Sequence, residues 1–280
     1  MPWSRNLFTA FALALCGCSA WAHDTWFQPM ALAADAVPLE LALGTGNRYP
    51  VQETGVGAEY LARQGCQGRD EGAAIQPMRA TRNVDHALVL QVPRQAARCW
   101  AQLVPLDIEL APAKVAIYLQ EVQASPELRD AWRSLQARGL PWKERYTKHA
   151  RIDLGVDAVP PALAIALPTT LPTAVPMATD ILRLPRAGGG FSFQVLRNGE
   201  PLAQQAMELI SEAGTHGIWR RTDAQGRIEL PALPAGRWLL RGTALRLSDE
   251  DPTRWDSGFV TLAFEVPASA AAVPLRSAAR

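Results

Sequence analysis

The chain has 280 residues, 28 of them Lys or Arg against 27 Asp or Glu, and 48% of it is hydrophobic. That length allows one large or two modest domains around a sizeable core. The balanced charge, with no basic run, argues against a nucleic-acid partner.

The amino terminus reads as a secretory signal. Arg5 supplies the positive region, residues 7–17 an apolar run, and Ala20-Trp21-Ala22 an A-x-A cleavage site. The run is too short to span a bilayer, which takes about 20 residues. Cleavage after Ala22 makes His23 the first residue of a mature periplasmic chain, which then holds 27 basic and 27 acidic residues. A second reading keeps Cys18 as a lipidated cysteine, because Leu15-Cys16-Gly17-Cys18 loosely resembles a lipobox; Cys16 is unusual at its place. No later apolar stretch is long enough to cross a membrane. Cys66 and Cys99 remain as one pair in an oxidising compartment, and a disulfide between them is expected. The alternative, a metal site from two thiolates, has no C-x-x-C spacing behind it.

From residue 23 onward the pattern is mostly β. Val37, Leu39, Leu41 and Leu43 alternate as a strand, and Gly44-Thr45-Gly46-Asn47 breaks it. Strand-like runs follow at 87–92 and 97–104, with a less regular Gly-rich stretch at 52–77 before them. Val115, Leu119 and Val122, then Leu128, Trp132 and Leu135, are spaced i, i+4, i+7 and predict two short helices separated at Pro126. The basic segment 143–151 leads into a strand near 152–154. Residues 156–189 are rich in Pro and Ala and read as a linker or irregular crossing, with a strand near 181–184. After Gly188-Gly189-Gly190 come short strands and turns. Phe191, Phe193 and Val195 precede the Asn198-Gly199 turn, strands follow at 207–211, 218–221, 228–230 and 238–247, and Val260, Leu262, Phe264 and Val266 close the set. The expected fold is mostly β: two β-sandwich-like domains, of immunoglobulin or transthyretin type, at 23–155 and 190–267. A helical insertion at about 111–150 interrupts the first, and residues 268–280 form a tail.

Several phrases occur together in order: His23-Asp24-Thr25-Trp26, Gly44-Thr45-Gly46-Asn47-Arg48-Tyr49-Pro50, Glu144-Arg145-Tyr146-Thr147-Lys148, Asn198-Gly199-Glu200-Pro201, Thr222-Asp223-Ala224-Gln225-Gly226-Arg227, Pro234-Ala235-Gly236-Arg237-Trp238 and Trp255-Asp256-Ser257-Gly258-Phe259. In this the chain resembles an uncharacterised family of exported bacterial proteins labelled as periplasmic components of cobalt or nickel ABC transport, or as nickel-uptake accessory proteins. The last third is also similar to the transthyretin-like and carboxypeptidase-regulatory sandwich. The resemblance implies a periplasmic, non-enzymatic accessory protein for nickel or cobalt handling. Its partners would be the metal ion and an inner-membrane permease or outer-membrane receptor.

The residues offer their own chemistry. A free N-terminal His23 carries an α-amine and an imidazole, which close a six-membered chelate ring on one ion. Such nitrogens suit nickel, cobalt, copper and zinc. The amine titrates near 8, so metal displaces its proton readily at neutral pH. Asp24 offers a neighbouring carboxylate, and His86, His149 and His216 are candidates to complete the site. Positive charge around His149, from Lys148 and Arg151, favours hydrogen bonding over cation binding there. The candidate metal ligands are therefore His23, Asp24, His86 and His216. Two other readings stay open: a structural or interaction module of the envelope without metal, and a copper protein with an N-terminal histidine brace. Asp249, Glu250, Asp251 and Asp256 form an acidic group best read as a solvated loop. Nucleophile-elbow, Walker and GxGxxG motifs are missing from the sequence, so no enzyme is expected.

Overall fold

The computed structural model describes residues 23–30, 39–68, 74–154, 177–185 and 190–268. The expected signal segment, most of the Pro/Ala-rich crossing and nearly all of the tail lie outside these residues.

The strands are β1 (Asp24–Pro29), β2 (Glu40–Gly46), β3 (Thr54–Gly55), β4 (Leu61–Gln67), β5 (Arg79–Val84), β6 (Ala87–Gln91), β7 (Arg98–Leu103), β8 (Leu106–Leu110), β9 (Trp142–Asp153), β10 (Thr179–Leu184), β11 (Phe191–Arg197), β12 (Glu200–Pro201), β13 (Ala206–Ser211), β14 (Ile218–Arg221), β15 (Arg227–Leu230), β16 (Gly236–Leu247) and β17 (Arg254–Val266). Helices α1 (Pro112–Glu121) and α2 (Pro126–Ala137) stand between β8 and β9. The fold is mostly β and sandwich-like, as expected.

Among the described residues the sheets are three. β1, β2, β6 and β5 run in that order with β3 on β2; β10, β11, β12 and β15 form a second; and an eight-stranded sheet runs β14-β13-β16-β17-β9-β7-β4 with β8 on β9. The large sheet draws strands from both sides of the crossing, and β17 joins β9 in parallel. The two sandwiches therefore share their central layer.

Alternation in β17 shows how that layer works. Val260, Leu262 and Phe264 point into one core with Phe193, Val195 and Ile181 of the β10–β11 sheet. Trp255 and Phe259 point the other way, into a core with Val115, Tyr118 and Leu119 of α1 and Trp132 of α2. On that same side Ala263, with Ala150 and Ile152 of β9, packs against Trp26, Phe27, Leu41 and Leu43 of β1 and β2. Period two puts successive residues on opposite faces, so a strand covered on both sides is apolar at nearly every place. Each large side chain buried this way contributes about 1.5–3 kcal/mol.

The strand expected near 152–154 begins ten residues earlier, at Trp142. Its charged residues hid it: Glu144 and Arg151 are buried and each is matched inside the protein. Arg151 pairs with Asp180 of β10, its Nε 2.8 Å from a carboxylate oxygen. Glu144 accepts from Trp142 Nε1 at 2.8 Å and Tyr118 Oη at 3.0 Å, and from Ser257 Oγ. Glu144 thus ties helix α1, through Tyr118, to strands β9 and β17.

Both helices begin at a proline, whose missing N–H costs nothing at the first turn. Ser125 caps α2 by accepting from Leu128 N. Each ends with the bond pattern of a Schellman motif: Leu140 N to Leu135 O and Gly139 N to Gln136 O in α2, Ala124 N to Leu119 O and Gln123 N to Gln120 O in α1. Gly139 takes the positive φ that the motif requires; in α1 that place falls to Gln123, at φ +50°. The expected disulfide is present, joining Cys66 and Cys99 across directly paired positions of β4 and β7.

Candidate functional site

On one face of the large sheet the two cores meet along a polar row. Cross-strand partners run Trp219 to Glu208, Glu208 to Arg241, Arg241 to Thr261 and Thr261 to Ala150. Below this row lies the core under β1 and β2, and above it the core under the helices.

Strand β1 begins directly over the row. Arg241 Nη1 donates to Asp24, and Arg241 Nε donates to Glu208 Oε2 at 2.8 Å. Thr261 Oγ1 donates to the Thr25 carbonyl at 2.6 Å, and the Thr25 and Thr45 hydroxyls are 2.7 Å apart. Asp24 and Glu208 are buried, while 25% of the Arg241 side chain stays exposed. Burial works against the Arg241 charge, but the Asp24 and Glu208 carboxylates outweigh it and hold its pKa above the ordinary guanidinium value. Gly217 lets Glu208 reach: a Cβ there would lie 2.1 Å from Glu208 Oε1, so a side chain would push the carboxylate off Arg241.

The exposed side of this triad faces a cleft of about 450 Å³. Asp24, Glu208 and Arg241 line it together with Asn47, Trp219 and the end of α1, from Gln120 to Gln123. A helix carboxyl end carries about half a negative charge. With three carboxylates, Asp24, Glu121 and Glu208, to one guanidinium, Arg241, in the wall, the lining favours a cation. Beside Asp24, Lys148 of β9 is half-buried; burial brings its amine down to about 8, against the pull of Asp24.

The four candidate ligands are not gathered at one point. His23 is half-buried and directly precedes β1, whose first residue, Asp24, lines the cleft. The Asp24 carboxylate is committed to Arg241. His86 is exposed in the β5–β6 turn, with its carbonyl against Gly44. Since β1 pairs along one edge of β2, and β3 and β6 along the other, β2 stands between His86 and β1. His216 is exposed in the β13–β14 turn, with its Nδ1 2.8 Å from Thr215 Oγ1. Among the described residues no three His, Cys, Asp or Glu are grouped so as to hold a metal ion. His149 is buried, its Nδ1 3.2 Å from the Phe259 carbonyl, and burial pulls its pKa down to about 4. In the acidic group, Asp249 and Asp256 pair with Arg246, and Glu250 and Asp256 with Arg254.

Sequence reasoning missed Arg241, Glu208 and Asn47. The signal for the first two was a charge inside an apolar strand: Met207-Glu208-Leu209 and Leu240-Arg241-Gly242. Such charges are kept only when paired.

No curated protein matches the chain. A family model described as a domain of unknown function (DUF4198) matches residues 20–244, a span that includes every residue lining the cleft. The chain belongs to this family, DUF4198, whose function is uncharacterised.

Proposed function

We propose that the protein is exported, cleaved after Ala22, and binds a divalent transition metal through His23 as a periplasmic accessory for nickel or cobalt handling. The observation that carries this reading is how firmly the head of β1 is held. Asp24 is bonded to Arg241 and Thr25 to Thr261, so His23 directly precedes a pinned residue in the wall of an electronegative cleft. A freed His23 would offer its amine and imidazole there as one chelating unit. Asp24 supports the site through Arg241, not as a ligand.

The test is titration with nickel, cobalt and copper of a chain that begins at His23 and of one with a single extra Ala before it. The mature chain is expected to bind below about 1 mM. The extended chain, with its amine displaced, is expected to bind at least roughly tenfold more weakly. Equal affinities would remove His23 as the anchor. No binding by either would leave the envelope module without metal. Copper outbinds nickel and cobalt on nitrogen donors in general, so tight copper binding alone does not favour the brace reading.

A further inference from the structure

The ladder between β1 and β2 ends at the pair Asp24–Gly46. The strands are antiparallel, and that register carried one residue past its last pair would set His23 opposite Asn47, at the bend that follows β2. Asn47 lines the cleft beside Asp24.

The orientation of its amide is determined. Nδ2 donates to Glu53 Oε2 at 2.7 Å, and the Asn47 backbone N–H approaches the same oxygen at 3.3 Å. Turning the amide over would set Oδ1 against a carboxylate, two acceptors with no proton between them. Glu53 is itself seated by its backbone N–H, which donates to the Thr45 carbonyl at 2.8 Å. Oδ1 therefore faces away from Glu53. It is shielded from solvent and has no hydrogen-bond partner among the described residues. Buried acceptors of this kind are rare, because leaving one unmade is costly.

We infer that Asn47 is the dock for the freed amino terminus, its Oδ1 accepting a hydrogen bond from the α-amine of His23. Resting on the cleavage and the His23 reading above, this makes Asn47 a positioning residue. An amine that has given one proton up to a metal ion still carries two N–H bonds. One of these points to Asn47 while the lone pair points to the ion, and the imidazole closes the chelate from the other side. Outer partners of this type orient metal ligands throughout metalloprotein chemistry.

The experiment is a double-mutant cycle between Asn47→Ala and a one-residue Ala extension before His23, read in two ways. First, the metal-free chain is exposed to an aminopeptidase and loss of His23 is followed by intact mass. N47A on the mature chain is expected to lose His23 roughly two- to tenfold faster, while the swap Asn47→Asp/Glu53→Gln, which keeps an oxygen acceptor at 47 and an amide-to-carboxylate bond between the two positions, stays protected. Second, nickel affinity is expected to fall roughly tenfold or more in N47A on the mature chain and to stay unchanged by N47A on the extended chain, which has no amine at residue 23. Equal trimming of N47A and the native mature chain overturns the inference, as does an equal loss of affinity in both backgrounds. If the native mature chain binds no nickel, the metal reading fails, and the trimming assay still decides the dock. Should N47A not fold, Glu53→Ala releases the amide from its bond to Glu53, and the same faster loss of His23 is expected.

Discussion

At the level of single residues, His149 carries a consequence for pH. Its Nδ1–H donates to the Phe259 carbonyl, Nε2 has no partner among the described residues, and burial brings its pKa from 6.5 to about 4. The folded chain therefore refuses a proton that the unfolded chain accepts below about pH 6.5. Stability associated with this residue is complete above that pH and is lost as pH falls toward 4, by about 2–3 kcal/mol between pH 7 and 4.5. Urea unfolding of the native chain and His149→Gln at both pH values checks this: the native chain should lose more stability than the variant. The expectation that His149 hydrogen-bonds instead of holding a cation came from its charged neighbours. What buries it is β10, which no local pattern around residue 149 announces.

At the level of elements, the two helices were legible because their apolar residues recur at i, i+4, i+7 and Pro126 marks where the second begins. Strand β9 was not, because Glu144, Lys148 and Arg151 interrupt its alternation. Glu144 belongs to β9 yet holds α1: Tyr118 donates to it across 26 residues, together with Trp142 and Ser257. Burial raises the Glu144 pKa and these three donors oppose it. Tyr118→Phe removes one donor from a buried carboxylate and is expected to cost about 1.5–3 kcal/mol. Denaturant unfolding measures the loss, and hydrogen exchange should rise first in α1, whose contact with the sheet is weakened.

At the level of the whole molecule, the disulfide ties the edge strand β4 to β7 across 33 residues. Reduction is expected to lower stability by about 3–4 kcal/mol in the chain-entropy account. Thermal unfolding with and without reductant, beside a Cys66→Ala/Cys99→Ala chain that reductant should leave unchanged, measures it. The amino-acid order by itself determined the strands of the last third, the helices, the cysteine pair and the chemical interest of His23, because periodicity, turn residues and residue type are local properties. The tertiary structure alone decided that β9 and β17 pair in parallel, that the two sandwiches share one sheet, and that Asp24, Glu208 and Arg241 meet beside Asn47. Asp24 and Arg241 are 217 residues apart. Strand pairing is set by which faces can be buried together, and a period of two is the same for every strand, so it names the faces without naming the neighbours.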